Sequence, residues 1–433
     1  MKRLRKMVKS LDVCDFTPRE ELEMRLNALR SRMADQGISF AVILQSVDLF
    51  YFTGTMQKGV LVVPVDGSPV FFVKKSISRA LYESPLEITP FRKTKDIRDV
   101  LREKNLLKGT GAMELDVVPV LLFEQWKSIL DCEQMADISP LVKQVRLIKS
   151  EFEIKQILKS GEIVYHVFRK AKDLVREGRP EIEIEADLVA EGRRIGHQGL
   201  IRMRGFNQEM MCGLVTQGYS STVASAADVP IAGFGLTPAI GQGSSANPVK
   251  RGIPVIIDYG GGYNGYVTDE TRVYVVGEMK ENFRNSYEVA REILEDIKDF
   301  AKEGVDVVEV YTRIFNRVKK AGLEEYFMGH GEGQVAFIGH GFGLELNELP
   351  VITASQKTVL KEGMVMAIEP KFIIPNEGAV GIEADFVVRK DGLQRIVGTP
   401  LDIVSIPDAI PRSKGRVPTP GSLNRQTPSK YPN

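Results

Sequence analysis

The chain has 433 residues, of which 43% are apolar and 27% are charged. This ordinary globular composition predicts two or three folded domains and excludes a chain that is disordered throughout. The 58 basic and 57 acidic side chains almost cancel, so the chain offers no charged field for a nucleic-acid partner.

The cysteines and the apolar runs narrow the class of protein further. Cys14, Cys132 and Cys212 are widely spaced and form no CxxC pair. This spacing excludes a cysteine-rich zinc site and favours reduced thiols in a cytoplasmic protein. No stretch of 18 apolar residues occurs, so we expect no membrane span. The basic start of the chain lacks the apolar segment of a signal peptide.

In chain order, two α/β regions and a tail are predicted. Residues 15–147 alternate helical and strand patterns, beginning with an amphipathic helix and including the hairpin VLVVPVDGSPVFFV with Asp66-Gly67 at its turn. Residues 148–406 open with two amphipathic helices, and strands with glycine-rich turns follow. Residues 407–433 are rich in proline and basic residues, which predicts a disordered tail.

Acidic residues within apolar strand patterns are the candidates for chemistry, because burying an unpaired carboxylate costs free energy. Asp258 ends the run IPVII, and Asp269 lies on the strand that returns after Asn264-Gly265. A hairpin with this turn brings the two aspartates side by side. Taken alone, the pair is explained equally well if Asp258 begins a turn and Asp269 faces water.

A histidine and two glutamates follow in similar settings. His340 stands between glycines in GHGFG, Glu369 follows the apolar run MVMAI, and Glu383 lies in VGIEADFVV. A packed histidine and buried salt bridges would account for each of them separately. Together, four carboxylates have no matching set of lysines or arginines beside them, Arg272 being the only close candidate.

Crowded carboxylates raise one another's pKa and cannot all remain ionised without cations. Oxygen ligands with one imidazole suit Mn²⁺, Co²⁺, Fe²⁺ or Zn²⁺, and bridging carboxylates suit a pair of ions. The sequence therefore predicts a centre of two divalent metal ions of unknown identity.

In these motifs the sequence resembles the creatinase/prolidase/methionine aminopeptidase family, and its layout is similar to Xaa-Pro aminopeptidases and Xaa-Pro dipeptidases. The motifs that carry the resemblance are IIDYG, TDETR, GHGFGLELNELP, AIEP and GIEADFVV. It implies an α/β (α+β) protein with a creatinase-like N-terminal domain at 15–147, a pita-bread catalytic domain at 148–406 and a homodimeric assembly. The metal ligands that it implies are Asp258, Asp269, His340, Glu369 and Glu383.

The resemblance also implies roles for these and neighbouring residues. A metal-bridging hydroxide would attack the scissile carbonyl, and Glu369 would move the proton to the leaving amine. Thr271 and Arg272 would orient the carboxylates. Arg272 is also counted with Glu369 among the catalytic residues, and Asn347 and Glu348 are expected to support the site.

Three histidines that proline-specific members carry outside the metal ligands are missing. Their places hold Ala336, Asn347 and, in the loop before Asp258, Asn247 or a neighbouring serine. His330 is the candidate for a replacement catalytic residue, with an ordinary loop histidine as the alternative.

The leading function is therefore a metallopeptidase-like hydrolase of small peptides or amides, of the Xaa-Pro type. The alternatives are a metal-dependent enzyme on a small non-peptide substrate, as a C–N hydrolase or lyase, and a non-catalytic member of the family.

Overall fold

The computed structural model describes residues 15–407. The basic start of the chain and, apart from Pro407, the tail predicted at 407–433 lie outside these residues. Ten α-helices are described, and their bounds in chain order are α1 Arg19–Asp35, α2 Ser46–Thr53, α3 Ile77–Glu83, α4 Thr94–Glu103, α5 Val120–Leu130, α6 Ser139–Arg146, α7 Glu151–Leu174, α8 Glu181–Arg194, α9 Glu281–Phe300 and α10 Val307–Ala321.

The first part of the chain forms a six-stranded mixed sheet with helices on both faces. Its spatial order is β4-β3-β2-β1-β5-β6, and the strands are β1 Phe40–Ile43, β2 Gly59–Pro64, β3 Val70–Val73, β4 Ile88–Pro90, β5 Gly111–Met113 and β6 Met135–Asp137. β2 and β3 pair antiparallel around Gly67, which confirms the predicted hairpin.

The second part contains three sheets. A four-stranded sheet has the order β17-β9-β8-β7, a five-stranded sheet has the order β11-β10-β12-β15-β16, and β13 pairs with β14. The strands are β7 Gly213–Gln217, β8 Val255–Tyr263, β9 Tyr266–Val276, β10 Phe337–Gly341, β11 Glu348–Thr353, β12 Val365–Ile368, β13 Lys371–Ile374, β14 Gly378–Gly381, β15 Ala384–Val388, β16 Leu393–Arg395 and β17 Val404–Ile406.

Local sequence explains where the second part begins. The Ser150 hydroxyl accepts a hydrogen bond from the backbone N–H of Glu153, and the Glu153 carboxylate accepts one from the backbone N–H of Ser150. This reciprocal capping satisfies two N–H groups at the start of α7. Among residues 15–407, none of the helices combines the length and the apolar character that crossing a bilayer needs.

The two parts share a hydrophobic core and a buried ionic network. One apolar cluster runs from Leu26 on α1 to Ile406 on β17. Beside it, the buried guanidinium of Arg146 lies 2.7 Å from an oxygen of Asp48 on α2, 2.8 Å from Glu345 and 2.5 Å from Glu348. The ion pairs thus join the helix before the boundary to both parts of the chain.

Glu348 belongs to this network, which corrects the expectation that it supports the acidic cluster. Its second oxygen lies 3.1 Å from Nζ of Lys149. Burial alone would raise the pKa of Glu348, but the charges of Arg146 and Lys149 lower it to about 2. The Glu348 carboxylate is therefore ionised in the folded protein near neutral pH.

Replacing Glu348→Gln is expected to lower the free energy of unfolding by about 3 kcal/mol near neutral pH, because it leaves buried Arg146 short of a partner. The depressed pKa of Glu348 makes this stabilisation fully present above its unfolded pKa of about 4.3 and lost as the pH falls through about 2. The difference between the two proteins should therefore shrink in acid, as measured by urea unfolding followed by circular dichroism.

The matched control is Glu292→Gln, because Glu292 is half exposed and pairs with exposed Arg317. A surface pair of this kind contributes about 0–1 kcal/mol. A difference for Glu348→Gln that stayed constant with pH, or that equalled the control, would contradict the assigned role.

Candidate functional site

Two aspartates reach the site from the β8–β9 hairpin. Tyr263 pairs with Tyr266, and the two residues between them, Asn264 and Gly265, have φ of 49° and 90°, as a tight hairpin turn requires. In this register Asp258 lies opposite Thr271, and Asp269 lies opposite Gly260. Because side chains alternate between faces along a strand, Asp258 and Asp269 are diagonal neighbours on one face.

The other three predicted ligands come from the five-stranded sheet. His340 on β10 pairs with Ala367 on β12, and Ile368 on β12 pairs with Ala384 on β15. Glu369 directly follows β12 and Glu383 directly precedes β15, so the two glutamates leave neighbouring strands at the same end.

The two sheets meet where these strand ends converge. Thr271 and Glu383 form a backbone bridge, and the Thr271 hydroxyl donates a 3.0 Å hydrogen bond to Oε2 of Glu383. Thr271 therefore holds a carboxylate of the second sheet against the hairpin of the first. The resemblance implied a supporting role for Thr271, and a contact of this kind is what such a role would require.

His340 faces three carboxylates. Its Nε2 lies 3.7 Å from Oδ2 of Asp269, 3.9 Å from Oε1 of Glu369 and 4.0 Å from Oε1 of Glu383. The other ring nitrogen, Nδ1, lies 3.1 Å from the carbonyl oxygen of Gly341. A proton on Nδ1 would make that hydrogen bond and leave the lone pair of Nε2 facing the carboxylates.

A lysine lies among the same carboxylates, and the expectation that no buried lysine accompanies them is wrong. Nζ of Lys371 lies 2.8 Å from Oε2 of Glu369, 2.8 Å from Oε2 of Glu383 and 3.2 Å from Oδ2 of Asp258. The lysine side chain is 4% exposed. One ammonium group therefore neutralises part of the charge that was expected to require metal ions.

The charges in the cluster change the ionisation of its members. Burial would lower the pKa of Lys371, but Glu369, Glu383 and Asp258 together raise it well above its ordinary value. Burial and the neighbouring Glu383 raise the pKa of Asp269 well above its ordinary range. Burial likewise raises the pKa of Glu383, to about 8, although Lys371 opposes the shift. One ammonium group is thus too little to keep all the carboxylates ionised at neutral pH.

Arg272 acts through the backbone, which agrees with its expected orienting role and corrects its place among the catalytic residues. Its guanidinium donates to the carbonyl oxygen of Glu383 at 2.7 Å and lies 2.5 Å from a carboxylate oxygen of Glu270. Side-chain alternation puts Arg272 on the face of β9 opposite Asp269. Arg272 is accordingly a positioning residue for the Glu383 strand.

A second layer of acids behind the cluster was not anticipated from the sequence. Oδ2 of Asp385 accepts a 2.8 Å hydrogen bond from the backbone N–H of Asp269, and its own N–H donates to Glu270. Burial and the nearby Glu270 raise the pKa of Asp385 well above its ordinary value. The sequence did carry a signal of this second layer. Glu383 and Asp385 are two residues apart in an extended segment, and this spacing places both acids on one face.

Only some of the residues that were considered in addition to the metal ligands line the cavity above the cluster. Asn347 lines this cavity, whereas His330, Asn247 and Glu348 are absent from the described residues that line it. The predicted ligands and Lys371 all line the cavity, together with apolar side chains that include Ile201, Met210, Leu214, Ile231, Phe337 and Leu346.

His330 and Asn247 have other partners, which corrects the expectation that His330 is a catalytic residue. Nδ1 of His330 lies 3.3 Å from the carbonyl oxygen of Glu325, and its ring stacks on Tyr326. The amide of Asn247 donates to the buried carboxylate of Glu181 at 3.0 Å. Of the positions that were predicted to replace family histidines, Asn347 is the one that lines the cavity with a polar side chain.

Lys371 was missed although its position carried a signal. It follows Glu369 by two residues in an extended segment, and that spacing places both side chains on one face.

Comparison with known proteins agrees with this architecture. Residues 155–390 match the model of metallopeptidase family M24, and residues 25–148 match the creatinase/prolidase N-terminal domain. The chain is 28% identical over 385 residues to an Xaa-Pro dipeptidase of Pyrococcus furiosus, which covers 88% of this chain and 100% of the relative.

Solved structures give the same picture. The prolidase of Pyrococcus horikoshii OT3 superposes with a TM-score of 0.73 at 26% identity, covering 87% of this chain and 99% of that one. A zinc-substituted aminopeptidase P of E. coli, at 20% identity, shares the fold with a TM-score of 0.68 and covers 89% and 96%.

These matches support a metallopeptidase-type hydrolase with a pita-bread domain after the creatinase-like domain. The acidic cluster lies within the segment that matches the family model. The chain belongs to metallopeptidase family M24.

Proposed function

We propose that this chain is a metal-dependent hydrolase of short peptides, similar in specificity to the Xaa-Pro dipeptidases among its relatives. The observation that carries the proposal is the convergence of Asp269, His340 and Glu383, each of which offers one ligand atom within 4.8 Å of the others. Two carboxylates and an imidazole at this spacing suit a divalent transition metal.

The chemistry expected of this site is amide hydrolysis. A divalent cation held here would polarise the scissile carbonyl group and make a water molecule a better nucleophile. Oε1 of Glu369 lies on the His340 side of the cluster, where it would accept a proton from the attacking water and deliver it to the leaving amine. Thr271 and Arg272 would keep Glu383 in place during the reaction.

The lining of the cavity favours a small substrate that itself has apolar side chains. Most of the wall is apolar, and Asn347 is a polar group beside the cluster. Its amide N–H would donate a hydrogen bond to a substrate carbonyl oxygen. Asn347 holds the place of one of the three missing histidines, and this hydrogen bond is the role that we propose for it.

A second candidate is a hydrolase or lyase of a small non-peptide substrate, and Lys371 is the observation that favours it. A positively charged group fixed among the carboxylates occupies space and ligand oxygens that a second metal ion would need, and a site with other metal content suits other chemistry. If the protein bound no metal, Lys371 would instead favour the hypothesis that this chain is a non-catalytic member of the family.

Two finer expectations remain part of the proposal, namely a homodimer and a cytoplasmic location. The identity of the divalent metal stays open among Mn²⁺, Co²⁺, Fe²⁺ and Zn²⁺. A bridging hydroxide would need two ions, and the position of Lys371 argues against the second ion.

Loading the purified protein with Mn²⁺, Co²⁺ or Zn²⁺ is expected to produce hydrolysis of Xaa-Pro dipeptides, because each ion suits the donor set. Release of free amino acids should be measured across Xaa-Pro and Xaa-Ala dipeptides and longer peptides. Removing the metal with a chelator should abolish the activity, and adding it back should restore it. A metal-loaded protein that cleaves none of the peptides would favour the non-peptide candidate.

Two histidine variants form a matched pair for this assay. His340→Ala should lower kcat/KM at least about 100-fold, because losing a ligand costs at least as much as losing a residue that supports one. His330→Ala should change kcat/KM less than about twofold, since an exposed side chain away from the cavity has little effect on the reaction. A large loss in His330→Ala would restore the catalytic role that the sequence suggested.

A further inference from the structure

Lys371 makes the contacts that a bound cation would make. Its ammonium group has three N–H donors, and three carboxylates, those of Asp258, Glu369 and Glu383, lie within 3.2 Å of Nζ. The donors are therefore matched one to one by acceptors from both sheets. We call this place the ammonium position.

The hairpin that carries Lys371 is shaped to hold its side chain. Lys371 on β13 pairs with Gly381 on β14. A Cβ atom at Gly381 would lie 2.7 Å from Cγ of Lys371 and 2.6 Å from its Cα, which is closer than atoms in van der Waals contact. Glycine at 381 is thus required by the close approach of the backbone at Pro370 and Lys371, and it also leaves room for the first carbons of the lysine side chain.

A second cation position remains beside the first. Oδ2 of Asp269, Oε1 of Glu369 and Oε1 of Glu383 surround Nε2 of His340 at 3.7–4.0 Å, too far for hydrogen bonds. Ligand atoms that each lie about 2.0–2.2 Å from one ion are separated by roughly this much. We call this place the histidine position.

The glutamates link the two positions. Glu369 and Glu383 each place Oε2 on Lys371 and Oε1 toward His340. Oε1 of Glu383 is buried and has no hydrogen-bond partner within the described part of the chain. A buried carboxylate oxygen without a partner is costly, and a cation at the histidine position would satisfy it.

We infer that Lys371 replaces one cation of the predicted pair, and that this chain binds a single divalent transition metal at the histidine position. The ligands are Asp269, His340 and Glu383. Glu369 remains beside them as the proton acceptor, and Asp258 serves the lysine. The inference deepens the proposed function, since it specifies the metal content of the same site.

The charge of the cluster agrees with one ion. Four carboxylates and one ammonium group carry three negative charges when all are ionised, and a single divalent cation reduces this to one. A second dication at the ammonium position would have to displace Nζ from three close carboxylates, and it would face the lysine's charge in a buried site where charges interact strongly.

The test measures metal content without using activity. Protein freed of metal, loaded with Mn²⁺ or Zn²⁺ and desalted, should retain one ion per chain by elemental analysis and isothermal titration. Lys371→Ala should raise this to two ions. Asp269→Asn should lose the ion, whereas its matched control Asp258→Asn should still bind one, because Asp258 serves only Lys371.

The outcomes separate this inference from the proposed function. Two ions in the unaltered protein, one in folded Lys371→Ala, or equal loss in the two aspartate variants would overturn the inference. No ion at all would overturn both the inference and the metal dependence of the proposed function. One ion without cleavage of any peptide would overturn the proposed function alone.

Electron paramagnetic resonance of the Mn²⁺-loaded unaltered protein tests the inference even if a variant fails to fold. An isolated ion gives a spectrum without exchange coupling, which is the expected result. Two ions about 3.5–4 Å apart would be coupled, and a coupled spectrum would overturn the inference.

Discussion

The close approach of like-charged carboxylates is the constraint on which this structure depends. Asp258 and Asp269 come from one hairpin, and Glu369 and Glu383 come from the ends of neighbouring strands in another sheet. These oxygens are too close and too buried to be stable as bare anions. Lys371 supplies one positive charge from within the chain. The backbone contacts of Arg272 and the hydroxyl of Thr271 hold the strands in this arrangement.

A second ionic network fixes the wall of the cavity to the N-terminal domain. Arg146 pairs with Glu345 and Glu348, which flank Asn347 in sequence, and with Asp48 of the first domain. The segment that presents Asn347 to the cavity is therefore anchored on both sides. The creatinase-like domain thus contributes to the site without placing a charged group in the cluster. Its role is to define where the polar side chain of the wall stands.

Local patterns in the sequence predicted the parts of the site that depend on local rules. The turn at Asn264-Gly265 and the alternation of side chains along a strand are enough to place Asp258 beside Asp269. The partners of Glu348 and Arg272 come from distant segments, and the pair Arg146–Glu348 spans 202 positions. No local pattern specifies such a contact, so a polar residue next to a motif was assigned to the site when the fold directs it elsewhere. Lys371 differs, because its spacing from Glu369 was readable.

The pairing of Lys371 with Gly381 has a consequence for how this chain tolerates mutation. A Cβ atom at Gly381 would lie 2.6 Å from Cα of Lys371 and 2.7 Å from the carbonyl oxygen of Pro370. A side chain at 381 would therefore push the two strands apart at the residue that carries the ammonium group. The site can thus be damaged in two distinct ways, since one substitution removes the charge and leaves the hairpin intact, while the other keeps the charge and displaces it.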